Sequence, residues 1–427
     1  MVSGWWGISS SIRAIPSSFR LTSGATTTSP SGEVANFSAQ GPSLDGRVKP
    51  DLVAPGVNIC SGRSEEATTA IGASCGTGTH ANGDPLYMSL SGSSQATAVA
   101  GGTVSLIREF IREEVGITSP TASLLKAASI NRAVDLGTAD IPNSAEGWGQ
   151  ISLDSTILPT DGSTQLQTFH DNSRVLDAGF SALYAFDVDP SHGLDITLVW
   201  SDEAGSAQDT QSQKRLVNDL DLTLYAPDGT IYKGNVFVNG FSVPNGASDD
   251  LNNVERIRLA PGTIAPSGTW QIEISHSGGL EQPYSLIVTG DATLAPEVDL
   301  TVFIGSIYPS SESPLVDDYI TIRLSWFNQG TLAAGSFRII LEDLTAGTIL
   351  FNNTRSGLDA GALDSLTIYH TFTSIGDHDM RLTIDAENSI SEINDEVDGL
   401  NNNVQMMTIT VSDLGVRLLT LDSTGEA

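Results

Sequence analysis

The chain has 427 residues, 39% hydrophobic and 6% aromatic, with 51 acidic against 20 basic side chains. At roughly 100–200 residues per domain, that length holds two to four cores. A net charge of −31 repels phosphate backbones and anionic bilayer surfaces, which excludes both as ordinary partners. The excess is uneven, with 9 basic and 12 acidic groups in residues 1–150 but 11 and 39 in residues 151–427. Only 4 of the 20 cations are Lys, and this balance suits a secreted protein or one kept soluble in salty water by self-repulsion, against a plain reading as an ordinary acidic surface.

No run reaches the roughly 18–20 apolar residues that cross a bilayer, so no membrane span is expected. Met1-Val-Ser-Gly-Trp-Trp has neither a basic start nor an apolar stretch, so no secretory signal is expected within this chain. The first block, 1–158, mixes Gly/Pro-rich loops with two helical patterns. Small residues from Ala96 to Gly102 give way to Leu106, Ile107, Phe110 and Ile111, a spacing that predicts a helix over 95–115 ended by Gly116. A second helix is expected over Ser119–Ser129, with Pro120 in its first turn. Cys60 and Cys75 share one loop-like stretch and leave open either a local disulfide or two free thiols.

From 159 to 293 the pattern alternates at period two, as in Leu194-Asp-Ile-Thr-Leu-Val-Trp200 and Asp219-Leu-Asp-Leu-Thr-Leu-Tyr225, with turns such as Pro227-Asp-Gly229. Strands so spaced without intervening helices predict a sandwich or jelly roll. Residues 294–413 repeat that grammar and read as a second, Ig-type β-sandwich. Residues 414–427 are a tail. The fold class expected is multidomain, an α/β segment followed by two all-β sandwich or jelly-roll domains.

Chemistry concentrates at Ser91-Gly-Ser-Ser-Gln-Ala-Thr97. A Gly two residues before a Ser, followed by a helix rich in small residues, puts that hydroxyl at a helix N-terminus. There the dipole and free N–H groups favour the negative charge of an acyl-transfer oxyanion. The competing reading is a plain Ser N-cap.

Context decides between them. Phe37-Ser-Ala-Gln-Gly-Pro42, Gly46-Arg-Val-Lys-Pro-Asp-Leu-Val-Ala-Pro-Gly56, Gly92-Ser-Ser-Gln-Ala-Thr97 and Glu146-Gly-Trp-Gly149 occur in that order. Together they resemble the C-terminal half of a subtilisin-like (subtilase) serine protease domain. The resemblance implies that Ser94 is the nucleophile. Ser93, Gln95 and Ala98 stand where the family usually has Thr, Met and Pro. Leu198-Val-Trp-Ser-Asp202, Leu216–Leu222 and Asn252-Asn-Val-Glu255 resemble the jelly-roll domain that follows the catalytic domain in some long subtilases. Asp299-Leu-Thr-Val302, Trp326-Phe-Asn-Gln-Gly330 and Glu392-Ile-Asn-Asp-Glu396 resemble a CARDB sandwich. The likeness begins near Thr22.

Subtilase chemistry also needs a His base, an Asp to orient it and an Asn oxyanion donor. The family carries all three upstream of the Phe37 motif, and residues 1–36 hold no His and a single acid, Glu33. The expectation is therefore a fragment of a serine endopeptidase, inactive alone, whose intact form would cleave polypeptides. Gly78-Thr-His80-Ala81 mimics the family's His signature but lies 14 residues before Ser94, in a loop, and is read as a decoy.

Calcium is the expected cofactor, since hard cations take clustered oxygens and related jelly rolls carry it. Asp219, Asp221 and Asp249 are its candidate ligands, against a plain reading as solvated turn carboxylates. Partners beyond the substrate would be a cell-surface or polymer ligand bound through residues 294–413, and the location extracellular. Two other classes compete: a non-catalytic adhesion protein retaining a broken protease half, and an α/β-hydrolase whose G-x-S-x-G elbow Gly92–Ala96 nearly fits. The all-β sequence after residue 158 disfavours the hydrolase.

Overall fold

The computed structural model describes residues 33–413 except 68–71, 138–139, 207–209, 211, 263–266, 391 and 393–402. The stretch upstream of residue 33, the acidic run from Asp395 to Asn402 and the 414–427 tail lie outside the described residues. The chain divides into two compact units that meet in sequence between Ala295 and Pro296.

In the first unit, helix α1 spans Ser93–Glu113 and buries Ile107 and Ile111. It starts two residues earlier than its apolar spacing predicts, because extended Gly92 serves as its N-cap. Helix α2 spans Ala122–Asn131, three residues later than expected at its start. The Thr121 side chain accepts the Leu124 N–H at 3.2 Å and so takes the cap position, which leaves Pro120 outside the helix. A short α3, Leu153–Ile157, leads into the strands.

Those strands form two sheets. One runs in the order Phe241–Pro244, Ile231–Val238, Asp219–Tyr225, Gly268–Gly278, Ser181–Val188 and Ala292–Leu294. The other is Val254–Leu259, Leu194–Trp200, Gln282–Gly290 and Gln167–Leu176. Between them lies a core built from Phe186, Leu198, Trp200, Leu222, Trp270 and Tyr284 among others.

The four-stranded sheet is covered on its other face too. Leu194, Ile196, Leu198 and Trp200 enter the sandwich core. The alternate residues Asp195, Thr197 and Val199 turn the opposite way, toward α2. Val199, Val254 and Ile287 complete a second core with Ile107, Ile111, Leu124, Ile130 and Trp148. Around it, Asn131 donates to Asp195 O and Thr197 Oγ1, both at 3.1 Å. The Ser123 and Ser285 hydroxyls meet at 2.8 Å.

Buried Asp195 accepts from Arg256 at 2.8 Å and Arg132 at 2.7 Å, with Arg258 at 3.5 Å. Burial alone would raise its carboxyl, but the guanidiniums of Arg256, Arg258 and Arg132 outweigh that and hold it below the ordinary value. Burial pulls Arg256 down to about 10 against the attraction of Asp195. The α/β segment and the first sandwich thus share a core and an ion network.

The second unit packs two four-stranded sheets. Tyr319–Asn328 is flanked by Leu363–Thr371 along one edge and by Leu300–Thr301 and Ile307–Pro309 along the other. The facing sheet is ordered Thr348–Arg355, Phe337–Asp343, Gly376–Ile384 and Val404–Val411. Trp326, Phe337 and Phe372 centre the core. In the Trp326–Gly330 motif, buried Asn328 donates to Leu332 O and Leu358 O and accepts from Gly330 N–H, pinning two loops with one amide.

Candidate catalytic serine and its surroundings

The four ordered sequence motifs converge in space. Gly41 N–H donates to Ser144 O, Trp148 N–H to Asp51 O and Val53 N–H to Gly149 O. Gly147 lies at φ +63, and a Cβ there would come 1.8 Å from Pro50 O, so only glycine lets these chains approach. Asp51 accepts from Lys49 at 2.8 Å and Lys126 at 2.9 Å. Burial works against its charged form, yet those two ammoniums hold its carboxyl below the usual range.

Gly56 connects this framework to the serine. Gly92 N–H donates to Gly56 O at 2.8 Å, and a Cβ on Gly56 would press within 3.0 Å of Gly92 O and Ala96 Cβ. Asn58 N–H donates to Ser91 Oγ at 2.8 Å. Ser94 is the second residue of α1 and is exposed. No side chain caps that N-terminus and its first turn carries no acid, so the positive end of a 21-residue helix is left unneutralised beside the hydroxyl. Among the described residues nothing hydrogen-bonds Ser94 Oγ.

His80 is held elsewhere. Its Nε2 lies 2.9 Å from Arg63 O and its Nδ1 3.2 Å from Glu65. Arg63, itself buried, pairs with Asp84 at 3.1 Å. These contacts knit the loop between the strands Ile59–Gly62 and Tyr87–Leu90. The disulfide left open by the sequence is formed, Cys60 to Cys75, and closes the same loop. The other five histidines lie in the two sandwiches.

The three candidate calcium ligands gather at one end of the first sandwich. Asp219 is 3.4 Å from Lys214, and its Oδ1 is buried without a partner. Asp221 bonds Ser248 and feels both Asp219 and Asp249. Asp249 is committed to four N–H donors: the side-chain amides of Asn235 and Asn252 and the backbones of Leu251 and Asn252.

Glu255, which the sequence offered only as the end of the Asn252–Glu255 motif and not as a ligand, feels the charges of all three. It is fully buried, accepts Leu222 N–H through Oε2 at 2.6 Å and leaves Oε1 without a partner. Burial, reinforced by Asp221, Asp249 and Asp219, pushes its carboxyl well above the ordinary value. Asp219 Oδ1 and Glu255 Oε1 are orphaned buried oxygens of the kind a hard cation takes, but no three of Asp219, Asp221, Asp249 and Glu255 bring their oxygens within 4.8 Å of one another. A tighter trio is Asp135, Asp140 and Glu146, whose oxygens lie within 4.8 Å of one another. Both Glu146 oxygens are already occupied by Leu136 N–H and the Asn143 amide.

Residues 13–149 match the profile of the Subtilase family and residues 297–406 that of CARDB. The chain carries subtilase-family sequence and a CARDB domain. The subtilase match starts at residue 13, nine residues before the expected Thr22. Serine protease/ABC transporter B family protein tagA of Dictyostelium discoideum is 35% identical over 284 residues, 61% of this chain and 16% of that protein. Minor extracellular protease Vpr of Bacillus subtilis is 33% identical over 150 residues, 32% of this chain and 16% of that one. The CARDB domain of a Pyrococcus furiosus protein, solved with di-metal ions, is 24% identical over 27% of this chain and 89% of that one, with a TM-score of 0.23.

The chain thus spans about a sixth of the length of the Dictyostelium relative, which is named a serine protease/ABC transporter, while the Bacillus relative is named a protease. Among the described residues no helix is long and apolar enough to cross a membrane.

Proposed function

We propose that this chain contributes the nucleophile-bearing part of a subtilisin-like serine endopeptidase, with Ser94 attacking peptide carbonyls. The observation that carries the reading is the uncapped, acid-free N-terminus of α1 with Ser94 exposed in its first turn, held by the interlocked motifs that resemble the family's. Attack by Ser94 Oγ would give an acyl-enzyme that water hydrolyses, with a backbone N–H at the start of α1 donating to the oxyanion. His80 is occupied by Arg63 O and Glu65, so the base and its orienting Asp would come from sequence outside this chain, and the chain alone would turn over negligibly.

The first sandwich would brace the segment. Asp219, Asp221 and Glu255 would hold a structural calcium, with Asp249 ordering the loop beside it. The CARDB domain would anchor the protein to a cell-surface or polymer ligand. An extracellular location suits the Cys60–Cys75 disulfide and the net charge of −31.

The test is fluorophosphonate labelling of this chain, its Ser94→Ala variant, and the chain mixed with a polypeptide carrying a subtilase Asp and His half. Labelling at Ser94 only in the complemented sample is expected. If complementation brings no labelling, the protease reading falls and the non-catalytic adhesion protein replaces it. Labelling of the chain alone would mean that a base lies within it, with His80 the first residue to replace.

A further inference from the structure

The CARDB sandwich carries 18 acidic against 4 basic residues over 297–413, a net of −14. The outer face of one of its sheets escapes this entirely. On that face Tyr369 lies opposite Thr321, and Tyr308 opposite Arg323, whose other neighbour is Thr367. The remaining outward positions of Tyr319–Asn328 and Leu363–Thr371 are aromatic, aliphatic or hydroxyl-bearing, and none is a carboxylate. Asp364 pairs in register with buried Trp326, on the inner side. The outer face of the facing sheet is ordinary for this chain, with Asp377, Asp379, Glu342 and Arg381 turned outward.

Three tyrosines dominate the carboxylate-free face: Tyr319 is 72% exposed, Tyr308 65% and Tyr369 63%. Tyr319 and Tyr369 stack with centroids 5.4 Å apart and planes 12° from parallel. That stack fixes two broad rings in place before any ligand arrives, so little side-chain entropy remains to be lost on binding. Arg323 makes no ion pair among the described residues.

We propose that this face binds a neutral polysaccharide. The rings of Tyr319, Tyr369 and Tyr308 lie against the C–H faces of successive sugars, and Arg323, Thr321 and Thr367 hydrogen-bond their hydroxyls. Charge selects a neutral chain, because the surrounding domain repels acidic glycans. Size selects a narrow one: two strands of 10 and 9 residues with the 3-residue edge Ile307–Pro309 span about 350 Å², less than half of the roughly 800 Å² per partner in a standard protein interface. A second copy docked face to face would bring together two domains that each carry a net −14 over 297–413.

The proposal rests on the anchor reading of the CARDB domain and is independent of Ser94. Affinity electrophoresis of the full chain in native gels tests it, with hydroxyethylcellulose, glucomannan and mixed-linkage β-glucan as neutral probes and alginate as the acidic one. The expected result is retardation by at least one neutral probe and none by alginate. A Tyr319→Ala/Tyr369→Ala variant should bind at least tenfold more weakly, while Tyr319→Phe/Tyr369→Phe keeps most of the affinity, with circular dichroism confirming both folds. Equal retardation of the Ala variant overturns this face and leaves the anchor standing. No retardation by any neutral probe overturns both the face and a neutral-polymer anchor. A wild-type dimer that the Ala variant abolishes in sedimentation equilibrium makes the face a copy-to-copy contact and overturns the proposal.

Discussion

The central strands of the two sandwiches share one grammar and differ in what covers them. Leu194–Trp200 is buried at all seven positions, whereas Tyr319–Asn328 begins by alternating exposed or half-exposed Tyr319, Thr321 and Arg323 with buried Ile320, Ile322 and Leu324. The first strand has a core on one face and α2 on the other. The second has a core on one face and solvent on the other. A polar residue at an alternate position therefore means different things in each: Asp195 and Thr197 are joint residues, while Thr321 and Arg323 are surface residues.

The joint is the place to break this difference. Asp195→Ala removes the one carboxylate facing three guanidiniums and strands Arg256 in a buried site. The expected loss is about 3–5 kcal/mol, read as an earlier urea midpoint for the first unit with the second unit's transition unmoved. A loss within about 0.5 kcal/mol would mean that the network contributes specificity rather than stability. The wild-type network should also weaken in acid. The guanidiniums hold Asp195 below its ordinary value, so its contribution is complete above about pH 4 and fades as the pH falls through the lowered value.

A second effect at the same face has the opposite chemistry. His170 stands opposite Ile287 on the α2 side of the sheet, and burial lowers its imidazole to about 4. The unfolded chain gains that proton near the ordinary 6.5 and the folded chain does not, so stability falls as the pH drops from about 6.5 to about 4. The ceiling is about 3 kcal/mol at about 1.4 kcal/mol per unit. His170→Gln should flatten the pH dependence of the first unit's melting temperature in that window. An unchanged slope would move the cause elsewhere.

How much of this was legible follows from the same contrast. The four subtilase-like motifs, the strand segments from Ala182 to Val288 and those of the CARDB sandwich could be read because each depends on local pattern. Helix starts slipped by two or three residues where an extended Gly92 or the Thr121 hydroxyl set the cap. The joint was not legible. Asp195, Thr197 and Ser285 look like outward polar positions, and nothing local tells Arg256, with its guanidinium buried on Asp195, from a surface arginine. Glu255 was quoted only as part of the Asn252–Glu255 motif, because its burial depends on Leu222 and on carboxylates from two other segments. The Cys60–Cys75 pairing was equally open until the strands on either side placed the two sulfurs together.

Glu255 sharpens the comparison further, since it is a charge-bearing group turned into the first sandwich where the second buries the Asp343–His378 pair, bonded through Oδ2 and Nδ1. Its raised carboxyl has the reverse sign from Asp195: the unfolded chain ionises above about 4.5 while the folded chain retains the proton, so stability declines as the pH rises. In EDTA at neutral pH, Glu255→Gln should therefore melt no lower than wild type. With calcium added, wild type should gain melting temperature, and Glu255→Gln, Asp219→Asn and Asp221→Asn should lose most of that gain. An equal calcium gain in all three variants would place the ion elsewhere, and no gain in wild type would remove the calcium reading.

The smallest expected effect belongs to the uncovered sheet. Leu363 lies 55% exposed opposite Phe327, on the outer face of the CARDB sandwich. Leu363→Thr changes no core contact and keeps a residue at home on a half-exposed strand, so its cost should stay within about 0.5 kcal/mol. Ile287→Thr is the matched change on the covered sheet, where the side chain is 1% exposed and packs in the core shared with α2. It should cost several times more, because it opens space there and buries a hydroxyl that must find a partner. Equal costs, measured by denaturant melts of the two units, would mean that the outer face of the CARDB sheet is as covered in solution as the joint is.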